Sequence, residues 1–252
     1  MKRVPDQRLL DWVDGRAPDG HISTGYDATG WETSIWVLHA MYETEHMPDG
    51  VTHDDVDRAE RAAHSLPPTM IGALDVGAVL DATTATGVPL GRSAWPGRGW
   101  QRLRWTELAR RLQVDPFAGD VAPGIRSFPY SSWPVSVRPP GEGSLDREQF
   151  LRLVDLLAAS TPARNVRCVA FYAPCAVGQY EELVIYEGTL NQVVHLYDDD
   201  DLPGAPSNLW PDERSWFVYT DCDSWATKVS GSAELIGALS TDSQLETVAL
   251  DF

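Results

Sequence analysis

Cysteine and lysine are scarce in this sequence, and both shortages limit what the protein can be. The three cysteines, Cys168, Cys175 and Cys222, are odd in number and show no CxxC spacing, which disfavours a disulfide framework and a cysteine-bound zinc. Such a set suits a reducing cytoplasm. Lys2 and Lys228 are the lysines, and the other eighteen basic positions are arginine. This bias is typical of GC-rich bacterial genes. The arginine content alone is therefore no evidence of phosphate chemistry.

Long hydrophobic runs and catalytic signatures are also lacking. No stretch approaches the roughly 20 apolar residues of a membrane span, and the N-terminus has no signal-peptide core. We therefore predict a cytoplasmic protein with no membrane association. There is no GxGxxG fingerprint, P-loop, GxSxG elbow or HExxH pattern. The sequence predicts no metal and no cofactor, and it leaves open whether the protein is an enzyme and what its oligomeric state is.

The formal net charge of −17 disfavours nucleic-acid binding through a general basic surface, because phosphate affinity comes mainly from Lys and Arg. A basic protein is the natural electrostatic partner of such a chain. The alternative is that the charge only keeps the protein in solution.

The clearest structural signal is the stretch from Trp210 to Phe252. Residues 215–220 and 226–230 have strand composition and are separated by an acidic turn. A helix capped by Ser232 and a closing strand over 245–250 follow, giving a β-β-α-β unit.

The pattern predicts an α+β protein with a mainly antiparallel sheet and flanking helices, in two similar halves, 1–140 and 141–252. A Pro/Gly-rich segment marks the boundary. The second half has the predicted order α-β-β-β-β-β-α-β. Its elements are a helix over 145–159 capped by Ser144, strands over 167–172, 182–187 and 193–197, and the C-terminal unit.

Tryptophan and arginine alternate between residues 93 and 111, where an acidic chain becomes locally basic. Arginine stacks on indole rings and also presents a two-pronged donor to an anion. One hypothesis is a pocket for a carboxylate, phosphate or nucleotide, and the alternative is an internal set of Arg–acid pairs. The candidate ligand-binding residues are Trp95, Trp100, Arg102, Arg104, Tyr219 and Asp221.

Acidic residues cluster at two further places. The run Asp198, Asp199, Asp200 and Asp201 lacks the spacing of a calcium loop and is predicted to be a solvated loop between strands. Asp221 and Asp223 fall in the acidic turn, either as turn formers or as an acid–base pair. Together these six residues are the candidate contacts for a basic partner.

Three segments, residues 35–43, 91–97 and 210–221, resemble an uncharacterised family of soluble actinobacterial proteins, and this resemblance implies no activity. The terminal strand-turn-strand-helix resembles the end of immunity proteins that neutralise bacterial toxins, such as the SUKH group. That resemblance implies a binding role and supplies no catalytic residues. The leading hypothesis is an immunity-like protein that neutralises a basic partner. The alternative is an enzyme of bacterial secondary metabolism with a pocket between the two halves.

Overall fold

A large antiparallel sheet forms the centre of the fold. The computed structural model describes residues 1–4, 6–14, 24–48, 50–64, 70–71, 74–75, 86–117, 122–161 and 166–249. The strands are β1 Lys2–Arg3, β2 Thr33–Leu38, β3 Met41–Glu43, β4 Met70–Ile71, β5 Leu74–Asp75, β6 Gln101–Leu103, β7 Val137–Arg138, β8 Arg167–Tyr172, β9 Val184–Thr189, β10 Asn208–Pro211, β11 Phe217–Tyr219, β12 Ala226–Gly231 and β13 Thr247–Val248. The helices are α1 Asp11–Asp14, α2 His53–His64, α3 Trp105–Leu112, α4 Arg147–Ser160, α5 Pro174–Val177, α6 Leu190–Tyr197 and α7 Ala233–Thr241.

The large sheet has eight strands in the spatial order β1-β9-β8-β10-β11-β12-β2-β13. Neighbouring strands are antiparallel throughout. Alternation along β2 divides its side chains between the two faces, as the pleat of a strand requires. Ile35 and Val37 join the core on one face, whereas Trp36 and Leu38 join the core on the other.

Helices α4, α6 and α7 cover the first face of the large sheet, and α4 contacts both of the others. The apolar stripe of α4 is buried, with Phe150, Leu153 and Leu157 at most 2% exposed. Burying a side chain of this size contributes about 1.5–3 kcal/mol to folding. Helix α4 therefore packs on the sheet through the apolar stripe that the sequence predicts.

The second face carries two aromatic clusters. Near its middle, Trp12 of α1 meets the rings of Trp210 and Phe217 edge to face, at 5.5 and 5.9 Å between ring centroids. Towards β2, Trp105 of α3 and Trp133 of the segment before β7 pack onto Trp225, in one cluster with Met41 and Leu103 of the small sheet β6-β3-β7. These indole rings also meet edge to face, the arrangement that aromatic pairs prefer.

The α+β class with mainly antiparallel sheets is confirmed. The C-terminal unit is also present as β11, β12, α7 and β13, and the Ser232 side chain accepts a hydrogen bond from the Leu235 N–H at the start of α7. The last strand, β13, pairs with β2, so β2 separates it from β12 in the sheet. Residue 250 of the predicted closing strand lies outside the described residues.

Two local predictions in the second half are wrong. Residues 193–197 belong to helix α6, because Thr189 and Gln192 form a capping box and Leu190, Val193 and Leu196 recur at helical spacing on the buried side. The β-branched pair Val193 and Val194 gave the misleading strand signal. The cap of α4 is Asp146, whose carboxylate accepts from the Gln149 N–H, and the predicted cap Ser144 lies two residues earlier.

The division into 1–140 and 141–252 stays a prediction about folding units. Strand β1 lies at one edge of the large sheet, and β2 lies between β12 and β13, so this sheet takes strands from both ranges. The small sheet is built from the first range alone. Hydrogen bonding therefore crosses the predicted boundary.

Across the described ranges, no helix combines the length and the apolar character that crossing a membrane requires.

Candidate functional site

A polar cavity of about 460 Å³ lies where the small sheet meets the first turn of α4. Tyr42 of β3 and Arg102 of β6 form one side of it, and Glu148 of α4 forms another. Ser243 and Gln244, from the segment before β13, complete the wall. The cavity thus takes residues from both predicted halves, and its volume falls in the range of small-molecule sites.

Four of the six candidate ligand-binding residues lie in this wall, namely Trp95, Trp100, Arg102 and Arg104. Tyr219 and Asp221 are not part of it. The structure thus brings the Trp/Arg stretch together around a cavity, as the pocket hypothesis requires, but separates it from the acidic turn.

Arg102 brings buried donors without acceptors to this wall. Strands β6 and β3 pair with Arg102 opposite Tyr42, which makes the two side chains cross-strand neighbours. The Nε and Nη2 nitrogens of Arg102 are buried and have no acceptor among the described residues. A buried charged donor without a partner costs roughly 1–3 kcal/mol or more. An anion in the cavity would supply acceptors to this guanidinium.

A buried acid lies next to Arg102. The Asp146 carboxylate accepts hydrogen bonds from the Tyr42 hydroxyl and from the Gln149 N–H, the latter at 2.8 Å. Burial raises the pKa of the Asp146 carboxyl, whereas the Tyr42 hydrogen bond and the charge of Arg102 lower it. Burial and the neighbouring Asp146 raise the pKa of the Tyr42 hydroxyl. The Asp146 carboxylate therefore accepts hydrogen bonds from Tyr42 and Gln149. The Nε and Nη2 donors of Arg102 stay available to a ligand.

Arg104 has a different role from Arg102. Its guanidinium donates to the backbone carbonyl of Ser243 at 2.7 Å and to that of Leu245 at 3.3 Å. These bonds hold the segment that carries Gln244 against the cavity. Arg104 is therefore a positioning residue of the wall.

Two tryptophans, Trp95 and Trp100, line the cavity. Trp95 is 51% exposed, and its backbone N–H donates to the Glu148 carboxylate at 3.1 Å. The Trp100 N–H donates to the Gly97 carbonyl, and Gly97 has a φ of 106°, a conformation that favours glycine. The turn at Gly97 thus joins two residues whose indole rings line the cavity, and a planar ligand or a cation can stack on such rings.

Asp221 and Asp223 form a tight turn between β11 and β12. The Asp221 carboxylate accepts from the Asp223 N–H at 2.9 Å and from the Tyr219 hydroxyl at 3.3 Å. Burial and Asp221 raise the pKa of Tyr219. With the Cys222 sulfur, the two carboxylates bring three ligand atoms within 4.8 Å of one another. The internal hydrogen bonds already account for the two aspartates as turn-forming residues.

The acidic run at 198–201 is exposed, but it follows helix α6 and is therefore not the predicted loop between two strands. Arg147 pairs with Asp198 at 2.8 Å, and Arg92 pairs with Asp200 at 3.0 Å. The hydrogen bond from Arg147 lowers the pKa of Asp198. These arginines also offset the unfavourable position of acids at a helix C-terminus.

Four residues of this site were not predicted from the sequence, namely Tyr42, Asp146, Glu148 and Gln149. The spacing Asp146-x-x-Gln149 is an N-cap signature, and it could have placed these two residues at a helix start. Their meeting with Tyr42 depends on a contact between residues about a hundred positions apart, which no local pattern encodes.

Comparison with protein families, with curated proteins and with solved structures finds no match to this chain.

Proposed function

We propose that this protein binds a small organic anion in the polar cavity. The observation that carries the proposal is Arg102, which lines the cavity and whose guanidinium has two buried nitrogens without an acceptor among the described residues. Charge-assisted bonds to a carboxylate or phosphate are about twice as strong as neutral ones, and arginine makes them in pairs. We therefore expect contacts with Arg102 to be the main factor that orients a ligand of this class.

The indole rings of Trp95 and Trp100 support a ligand whose anionic group is joined to a flat or apolar body. Such pockets combine an apolar wall with a few polar groups that fix orientation. The same cavity is where an enzyme of bacterial secondary metabolism would act, with Tyr42 and Glu148 as its ionisable neighbours. Binding is the simpler proposal, because Tyr42 is already engaged with Asp146.

The test compares benzoate with its neutral analogue benzamide by calorimetric titration and by tryptophan fluorescence. We expect saturable binding of benzoate and binding at least roughly tenfold weaker for benzamide, since a hydrogen bond to a charged group is worth about 1.5–3 kcal/mol. Arg102→Met should remove that preference. The matched control is Arg110→Met, because Arg110 is exposed on α3 and pairs with Glu107 outside the cavity.

Arg102→Lys keeps the charge and separates loss of recognition from loss of folding. It should bind benzoate more weakly than the wild type but still prefer benzoate to benzamide. Equal affinities of the wild-type protein for benzoate and benzamide would contradict the proposal. So would an unchanged preference in a folded Arg102→Met variant.

A second candidate function is neutralisation of a basic protein partner in the cytoplasm, as in SUKH-like immunity proteins, without contact to nucleic acid. It is favoured by the exposure of Asp198, Asp199, Asp200 and Asp201 and by the net charge. Asp221 and Asp223 would add to the contact surface. Charges of this kind contribute mainly to the association rate and to specificity.

This second proposal is tested with the double variant Asp199→Lys, Asp201→Lys and the control Asp155→Lys, an exposed acid on α4. A basic partner purified with the wild-type protein from its host should associate at least roughly tenfold more slowly with the double variant at low salt. The control should behave like the wild type. Unchanged association rates, or the absence of any co-purifying partner, would contradict the proposal.

A further inference from the structure

A second cavity, of about 490 Å³, lies beside the polar one and is lined mainly by apolar side chains. The segment after β3 contributes Met47, Pro48 and Val51 to the lining. Helix α2 contributes Val56, and Val135 also lines the cavity. Met47 and Val56 are 44% and 39% exposed, which is high for side chains of this type. Part of the wall of this cavity is therefore an apolar surface that is open to solvent.

Trp100 belongs to the walls of both cavities. Its neighbours in the same turn divide between them, since Trp95 lines the polar cavity and Pro96 lines the apolar one. The two cavities therefore share the Trp100 side chain as a common wall. Arg102 lines one cavity, and aliphatic side chains predominate in the lining of the other.

We propose that the two cavities form one site for an amphipathic anion, a free carboxylic acid with an aliphatic chain. The carboxylate would lie on Arg102, and the chain would pass Trp100 and occupy the cavity beside Met47 and Val56. This inference rests on the proposed anion-binding function and names its ligand class. It joins two observations that are otherwise separate, the cation without acceptors and the exposed apolar wall.

The chemistry of the apolar wall favours a flexible chain over a second ring. Its lining is mainly aliphatic and proline-rich, although His53 and Arg138 also contribute to it. Met47 suits such a wall, because methionine adapts to irregular apolar shapes. The polar cavity also contains the Glu148 carboxylate, which would repel a second anionic group near Arg102. A monocarboxylate with one charged end matches this distribution.

The experiment titrates the 252-residue chain with straight-chain carboxylates from butanoate to dodecanoate, below the concentrations at which they form micelles. Each added methylene should tighten binding by roughly fourfold until the apolar cavity is filled, after which the affinity should level off. Val56→Glu, which places a charge in the apolar wall, should abolish the dependence on chain length while leaving butanoate and benzoate binding unchanged. Ala62→Glu, on an exposed part of the same helix, is the control and should retain the dependence.

Three outcomes would overturn this inference. If affinity is independent of chain length while benzoate still requires Arg102, the extended site is wrong and the proposed anion site stands. If dodecanol binds as tightly as dodecanoate, Arg102 does not hold the head group of the long ligand. If Val56→Glu and Ala62→Glu reduce dodecanoate binding equally, the chain does not lie in the apolar cavity. A dependence on chain length that is lost only in Val56→Glu supports the inference.

Discussion

The Tyr42 hydroxyl donates a hydrogen bond to the Asp146 carboxylate, and both residues are buried. Tyr42 lies on β3 of the small sheet, and Asp146 is the cap of α4 in the helical layer. This one bond therefore ties the helix that anchors the large sheet to the neighbouring small sheet. It also lies directly beside the guanidinium of the proposed anion site.

We predict that Tyr42→Phe lowers the free energy of unfolding by about 1–3 kcal/mol, because the buried carboxylate loses one of its donors. Burial already raises the pKa of Asp146, so removal of the hydroxyl should raise that pKa further. Chemical denaturation measures the stability change. The control is Tyr180→Phe, since Tyr180 is 73% exposed and its variant should match the wild type. A Tyr42→Phe protein as stable as the wild type would contradict this role.

His39 predicts a dependence of stability on pH. The ring is fully buried, and its Nδ1 lies 2.6 Å from the Gly141 carbonyl, which can only accept. Nδ1 therefore carries the proton of the neutral ring, and Nε2 accepts from the Thr227 hydroxyl at 3.0 Å. Burial lowers the pKa of His39 from 6.5 to about 4.

The folded state binds this proton less readily than the unfolded state does. Above pH 6.5, neutral His39 therefore makes its full contribution to the free energy of unfolding. It is lost as the pH falls from 6.5 towards 4, with a total of about 3 kcal/mol at roughly 1.4 kcal/mol per pH unit. His39→Gln should remove this slope between pH 7 and pH 4. The exposed His195→Gln is the control and should keep it. Parallel stability profiles for the wild type and His39→Gln would show that His39 is not the group responsible.

Glu246 predicts a specific link between the C-terminal segment and helix α3. The residue before this helix, Arg104, gives no side-chain cap, and the Glu246 carboxylate instead accepts from the backbone N–H groups of Trp105 at 3.0 Å and Thr106 at 3.2 Å. Glu246→Ala should therefore lower the free energy of unfolding by about 1–2 kcal/mol, as the loss of a cap does. Thermal and chemical unfolding measure this change. Glu181→Ala, at an exposed position, should have no comparable effect.

Periodicity of apolar residues was enough to predict the α+β class, the stripe of α4 and the terminal β-β-α-β unit. It failed at residues 193–197, where β-branched side chains suggested a strand but the capping box at Thr189 starts a helix. Local patterns also brought Trp95, Trp100 and Arg102 to attention as an unusual group. They could not show that β3 would pair Tyr42 with Arg102, since strand register between distant segments depends on the whole fold.

Gln149 gives the last prediction, because it joins β2 and β3 where they approach the polar cavity. Its side-chain carbonyl accepts from the Ala40 N–H at 2.7 Å, and its amide donates to the Leu38 carbonyl at 2.8 Å. Gln149→Leu keeps the volume but leaves two buried backbone groups without partners. We expect a loss of about 1–3 kcal/mol for each group, so this variant should be the most destabilised of those above.

Gln244→Leu is the matched control, because Gln244 lines the same cavity and is exposed. It should leave stability unchanged, which separates the backbone role of Gln149 from any general effect of an apolar residue in the wall. Gln149→Glu should fall between the two, since it keeps the acceptor for Ala40 but turns an acceptor towards the Leu38 carbonyl. If Gln149→Leu and Gln244→Leu unfold at the same denaturant concentration, the turn between β2 and β3 is held by its backbone alone.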